Sequence, residues 1–307
     1  MKRTRLALAA ATAASLIALA ACGGGDDPLA DGSTPAAEGA GGSIVVGSAN
    51  FPENELLAEI YAGALTAKGV NVTTKLNIAS RETYVPALQS GEINLLPEYT
   101  GAFAKYLNKD AVVTDEAGAL EALKAALPDE LTVLEPSAAQ NKDSVVVTKA
   151  TADQYSLKSV GDLAPHASQM VLGGPPEWAQ RTDGIPGLER VYGLKFKEFK
   201  RLDAAGALTV QALKNGQVQA ANLFTTDPNI AANDFVVLDD PESLFGAQNV
   251  IPVITKSKAT PEITEALDAV SAKLDTGSLT ELVKQVVIDK SDSGAVAKEW
   301  LTANGLG

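Results

Sequence analysis

Between residues 44 and 255 short apolar runs bounded by turn residues alternate with segments whose apolar side chains recur at helical spacing. After Thr255 only the helical pattern continues. That ordering constrains the fold more than any other feature, because strands alternating with helices imply an α/β protein with mostly parallel sheets. Strand-like runs fall at residues 44–47, 72–76, 93–96, 132–134, 144–148, 170–172, 200–202, 220–224, 235–238 and 249–255. Helical spacing marks 50–68, where Leu56, Leu57, Ile60, Tyr61 and Leu65 make one apolar face and Pro52 and Glu53 suit the first turn. It also marks 81–89, 115–127, 151–155, 176–181, 185–192, 207–215 and, in the tail, 261–274, 278–287 and 293–303. The helical tail is expected to pack back onto an earlier part of the fold. No internal repeat emerges along the chain.

Composition removes several chemistries. The 307 residues include one cysteine and one histidine, His166, which follows Pro165 in a polar stretch and reads as a surface residue. Thiol catalysis, a Ser-His-Asp triad and a His-rich metal site therefore have little material, while carboxylate chemistry stays open. A formal charge of −13 opposes nucleic acid and anionic lipid as partners. No phosphate-binding loop, dinucleotide fingerprint or EF-hand spacing occurs, and no cofactor is expected.

The amino terminus carries Lys2, Arg3 and Arg5, then an apolar stretch to Ala21. This is the layout of a secretory signal peptide over residues 1–21. About 16 apolar residues fall short of the ~20 needed to span a bilayer. Leu19-Ala20-Ala21-Cys22 resembles a bacterial lipobox, which implies cleavage before Cys22 and lipid attached to it. Residues 22–43, rich in Gly, Asp, Ala, Pro and Ser, then read as a flexible tether. The mature chain would carry 22 basic and 38 acidic residues, a net −16. The expected location is extracytoplasmic and membrane-held through Cys22, with no spanning helix.

Candidate sites cluster where strands end, the place at which ligands bind in open α/β sheets. Leu95-Leu96-Pro97-Glu98-Tyr99-Thr100-Gly101 reads as a strand stopped by Pro97 and followed by Tyr99 and Thr100. Asn50, Phe51 and Asn54 lie between the first strand and the first helix, and Phe224 and Thr225 follow another strand. Trp178, in Gly173-Gly174-Pro175-Pro176-Glu177-Trp178, offers either a face for a cation or packing for the prolines. Glu53, Glu55 and Glu59 read as helix-face charges, and Asp239-Asp240 as a solvated turn.

At these residues the chain resembles the glycine betaine/choline/carnitine-type substrate-binding proteins of ABC importers. The resemblance lies in Gly47-Ser48-Ala49-Asn50-Phe51, Leu88-Gln89-Ser90-Gly91-Glu92-Ile93, Pro97-Glu98-Tyr99-Thr100-Gly101, Arg181-Thr182-Asp183-Gly184, Tyr192-Gly193, residues 208–213 and Phe224-Thr225-Thr226-Asp227. It implies a type II periplasmic-binding-protein fold with two crossovers, near 141–148 and 247–251. Lobe I would comprise 44–143 and 250–307, and lobe II 144–249. It further implies a monomer that captures a small solute between the lobes and hands it to ABC permease subunits. Tyr99 matches a cage tyrosine with Thr100 as a neighbouring donor, Phe224 another cage position, and Asn54 an amide position. The sequence departs at Lys142-Asp143-Ser144, where betaine binders carry an aromatic; Asp143 could attract a cation instead. Other readings are a receptor for a different polar solute, a secreted carboxylate-based hydrolase, or a ligand-free surface scaffold.

Overall fold

A computed structural model describes residues 43–113 and 115–307. The expected signal peptide, Cys22 and all but the last residue of the expected tether lie outside the described residues. The strands are β1 (Ile44–Gly47), β2 (Val72–Lys75), β3 (Leu95–Tyr99), β4 (Leu131–Val133), β5 (Asp143–Thr148), β6 (Val171–Gly174), β7 (Glu198–Arg201), β8 (Ala220–Phe224), β9 (Phe235–Val237) and β10 (Val250–Thr255). They form two five-stranded sheets, β2-β1-β3-β10-β4 and β7-β6-β8-β5-β9. Each sheet runs parallel through its first three strands and antiparallel at its last two.

Both sheets follow one plan. An edge strand, a first strand and a third strand lie side by side, and the fourth position is taken by a strand from beyond a chain crossover. For the first sheet this strand is β10, and for the second β5. The duplication that the residue order hides is therefore present in the topology. Sequence similarity is not needed for it, because alternating buried strands of any Val/Ile/Leu content satisfy the same plan.

Eleven α-helices are described: α1 (Pro52–Ala67), α2 (Arg81–Gln89), α3 (Thr100–Leu107), α4 (Glu116–Ala126), α5 (Lys149–Tyr155), α6 (Ile185–Tyr192), α7 (Ala207–Lys214), α8 (Asn229–Ala232), α9 (Pro261–Ser271), α10 (Thr276–Val287) and α11 (Ser293–Ala303). The large apolar side chains of α1, Leu56, Leu57, Ile60, Tyr61 and Leu65, are all buried. Leu56, Leu57, Ile60 and Leu65 pack on Ile44, Val46 and Leu95 of the first sheet and on Leu267, Val270, Leu279 and Leu301 of the three tail helices. The tail thus completes the first sheet's core. Without it the side of α1 packed on Leu267, Val270, Leu279 and Leu301 would be exposed.

The strand at Leu95 does not stop at Pro97. It continues to Tyr99, with Pro97 opposite Pro252 of β10. The flanking bonds from Thr100 N to Asn249 O (3.0 Å) and from Thr255 N to Asn94 O (2.8 Å) put the even-numbered residues of β3 in register to exchange hydrogen bonds with β10. Toward each other both prolines fall in the non-bonded phase, so neither removes a donor from the β3–β10 ladder. The chain passes between the sheets twice. The passing segments run side by side, with Val250 N bonded to Ala139 O (2.9 Å) and Asn141 N to Gln248 O (3.1 Å). Gly101 sits against this junction, and a Cβ there would lie 2.3 Å from the Ala247 carbonyl oxygen.

Candidate functional site

A cavity of about 540 Å³, counted to its open mouth, lies where the ends of β1, β3, β5, β6 and β8 converge beside the crossovers. Its aromatic side is built from three separate turns. Phe51 comes from the residue preceding α1, Tyr99 from the end of β3, and Phe224 from the end of β8. Phe51 stacks near Tyr99 at a centroid distance of 6.2 Å and lies 4.9 Å from Phe224, tilted by 44°. These rings form one continuous wall. Tyr84 and Trp178 also line the cavity, and Trp178 stacks on Phe245 behind it at 6.0 Å.

The polar side mixes both signs of charge. Asp143, at the start of β5, is 9% exposed and accepts one hydrogen bond, from Asn222 Nδ2 at 2.8 Å. Burial, helped by nearby Asp183, pushes its carboxyl up to about 6, although Asn222, Arg181 and Arg81 act in the opposite direction. Arg81, the first residue of α2, donates through Nε and Nη2 to both oxygens of buried Glu98 (2.9 and 2.8 Å). Burial disfavours its charge, but Glu98 more than offsets that and keeps the guanidinium protonated. Glu98 also accepts from Tyr84 OH at 2.6 Å and from Tyr99 N at 2.9 Å. Arg181 pairs with Glu82 of α2 at 3.1 Å and with Glu177 at 3.9 Å, joining the two sheet regions at the cavity edge.

Behind the aromatic wall lies a carboxylate that the sequence alone misassigns. Glu53 is not a helix-face charge; it is 3% exposed. It accepts from Tyr99 OH (2.7 Å), from Asn141 Nδ2 (2.6 Å) and from Thr226 Oγ1. These donors belong to β3, to a crossover and to the turn after β8, so one carboxylate ties together both sheet regions and the segment between them. Burial raises its pKa, the three donors pull it back, and Asp227 raises it further. Its place in the first turn of α1, where unpaired backbone N–H groups favour negative charge, helps to hold the anion there.

Of the residues expected at a site, Asn50, Phe51, Tyr99, Asp143, Trp178 and Phe224 line the cavity. Asn54, Thr100 and Thr225 do not line it, and each is engaged elsewhere. Asn54 accepts from Ala49 N (2.7 Å) and donates to Pro97 O (2.9 Å), fixing the turn that presents Phe51. Thr100 Oγ1 accepts from Asn249 N at 3.1 Å, and Thr225 Oγ1 accepts from Lys142 N at 2.9 Å, both at the crossovers. Sequence reasoning missed Arg81, Tyr84, Asn141 and Asn222 as lining residues. Ser80-Arg81 stands at the start of α2 after β2, just as Phe51 stands at the start of α1 after β1. The strand-end rule applied to every strand would have found Arg81. Asn141 and Asn222 gave no signal, because only the pairing of β5 with β8 brings them to the cavity.

Residues 42–303 match the family model OpuAC, described as the substrate-binding domain of an ABC-type glycine betaine transport system. The chain belongs to the OpuAC family. Among similar proteins, the glycine betaine-binding protein YehZ of Escherichia coli K12 is 28% identical over 276 residues, covering 85% of this chain and 90% of the relative. A Helicobacter pylori G27 protein named ergothioneine transport permease/ergothioneine binding protein EgtU is 26% identical over 268 residues, covering 86% of this chain and 48% of that longer protein. A solved structure titled glycine betaine/carnitine/choline ABC transporter superposes with a TM-score of 0.68 at 24% identity, covering 86% of this chain and 99% of the other. The OpuAC-family fold is thus the type II periplasmic-binding-protein fold, two-lobed, with a hinge of two crossovers and a first lobe completed by the tail. The family's described role is substrate binding for transport. Among the described residues no helix is long and apolar enough to cross a membrane.

Proposed function

We propose that this OpuAC-family protein is the extracytoplasmic receptor of an ABC importer for a quaternary ammonium solute, and that the cavity between its sheets is where the solute binds. The observation that carries this reading is the continuous wall of Phe51, Tyr99 and Phe224 in one cavity with the buried acid Asp143. A quaternary ammonium has no N–H to donate, so it is recognised by ring faces, each worth about 0.5–2 kcal/mol when desolvated. Asp143 adds a counter-charge where betaine binders carry another aromatic. A carboxylate on the same solute has Arg81 and Arg181 within the cavity, and guanidinium groups suit that partner. The relatives named for glycine betaine and ergothioneine support a betaine-like solute.

Lobe I then comprises 44–143 with 250–307, lobe II 144–249, and closure on the solute presents both to the permease. Lipid on Cys22 and the 22–43 tether would keep the receptor beside that partner at high effective concentration. Titration calorimetry with glycine betaine, choline, carnitine and proline betaine tests the ligand reading. Saturable binding of at least one, weakened by Phe224→Ala, is expected. No heat with any of the four at millimolar concentration would refute it.

A further inference from the structure

We infer that the solute carries hydrogen-bond donors, N–H or O–H, in addition to its cationic head, and that Asn141, Asn222 and Asp143 select for them. This inference rests on the ligand reading above and narrows it to a class that excludes glycine betaine as the best ligand.

The argument starts from the two amides. An Asn side chain ordinarily has an ambiguous O/N assignment, which its hydrogen bonds must settle. Here both are settled by carboxylates. Asn141 Nδ2 donates to Glu53 Oε1 at 2.6 Å, and Asn222 Nδ2 donates to Asp143 Oδ1 at 2.8 Å. A carboxylate accepts and does not donate, so in each case the nitrogen must face the acid and the oxygen must face away from it. Both freed oxygens, Asn141 Oδ1 and Asn222 Oδ1, are buried and have no hydrogen-bond partner. Both residues are at most 2% exposed, and both line the cavity. Asp143 adds an oxygen, Oδ2, that takes no hydrogen bond within the protein, since its one bond goes to Oδ1.

Three acceptors on residues that line one cavity therefore have no donor of the protein assigned to them. Buried acceptors are nearly always satisfied, because leaving one unpaired forfeits its full solvation. A trimethylammonium group cannot satisfy them. Neither arginine bonds these acceptors: Arg81 Nε and Nη2 go to Glu98, and Arg181 Nε and Nη2 go to Glu82. A solute in the cavity is placed to supply the donors. A site built to bond an N–H or O–H rejects an analogue that lacks it far more strongly than an apolar pocket rejects a missing methylene. The division of labour follows: rings Phe51, Tyr99 and Phe224 for the cationic head, amide and acid oxygens for a donor-bearing side group.

The matched pair that tests this is the N,N,N-trimethyl betaine of histidine against that of phenylalanine, with glycine betaine as the reference, by titration calorimetry. The histidine compound has a ring N–H and the phenylalanine compound has none, while head and carboxylate are identical. Binding of histidine betaine at least tenfold tighter than both others is expected, with its advantage over the phenylalanine compound lost in Asn222→Leu. Equal affinities, or a preference for glycine betaine, would overturn the inference and leave the quaternary ammonium reading intact. Binding by none of the three would remove both. Should Asn222→Leu fold poorly, wild-type protein with the ring-N-methylated histidine betaine tests the donor without a variant, since methylation replaces the N–H and leaves head and carboxylate unchanged.

Discussion

At the scale of single residues the cavity is governed by two buried acids with different partners. Asp143 is held above the ordinary carboxylate range, at about 6 against 3.8, chiefly by burial. A raised folded-state value means that its contribution to stability is complete below about pH 4 and is lost as the pH rises through about 6. Cation binding runs the other way, because the counter-charge appears only as Asp143 ionises among Asp183, Arg181, Arg81 and Asn222. Affinity for a quaternary ammonium solute should rise several-fold between about pH 5 and about pH 7, with its midpoint near 6. Asp143→Asn should flatten that profile in calorimetry, and an unchanged slope would assign it to another group. Removal of one ring of the wall, Phe224→Ala, should weaken binding by about 0.5–2 kcal/mol, or roughly 2- to 30-fold in Kd. Its melting temperature should change little, since Phe224 is only partly buried.

Secondary-structure elements succeed here where their junctions are tight. The first turn of α3 lies against the second crossover because Gly101 has no Cβ, and the 2.3 Å approach to a backbone oxygen leaves nothing flexible to move. Gly101→Ala should therefore destabilise the protein by about 1–3 kcal/mol, read as a lower urea midpoint at unchanged slope. A wild-type midpoint would show that α3 can shift without cost. The tail helices make the complementary case. Leu301 of α11 is 3% exposed and packs over Gly63 of α1, so Leu301→Ala should cost about 2–5 kcal/mol. That loss would be seen in global unfolding, because α11 belongs to the same core as β1 and β3.

On the scale of the whole molecule, the two sheet regions are joined by the crossovers and by a few side-chain bonds across the gap. Arg181–Glu82 is half exposed on its acid side, and such a pair is worth at most about 1 kcal/mol. Glu53–Thr226 is different, because both partners are buried. Thr226→Val removes the donor but keeps the shape, and leaves a buried carboxylate short of one bond at a cost of about 1.5–3 kcal/mol. If this bond favours the closed arrangement, the variant should bind solute about 10-fold or more weaker. Small-angle scattering without solute should then give a larger radius of gyration than wild type. Equal radii and equal affinities would make Glu53 a stabiliser of the hinge alone.

Much of this architecture was legible along the chain. The strand at 220–224 and the helices at 81–89, 185–192 and 293–303 fall where spacing and caps put them, because the period of buried apolar residues is a local property. Phe51, Tyr99 and Phe224 could be picked out because aromatic residues directly after buried strands have one exposed end to occupy. Helix α3 was not legible, since it begins at Thr100 with no break after β3, and the strand through Pro97 was not, since a proline is admissible only once its register against Pro252 is known. Glu53 shows the limit most sharply. By sequence it is one acid of three on an amphipathic helix. Only the fold brings Tyr99, Asn141 and Thr226 to it from 46, 88 and 173 residues away. Sequence by itself determined the alternation and the apolar faces that build the cores, because these follow from short-range periodicity, and the family resemblance singled out Tyr99 and Phe224. The tertiary structure alone decided which rings meet, which acids are buried and which amide oxygens are left without a partner, because burial and hydrogen-bond direction depend on partners distant in the chain.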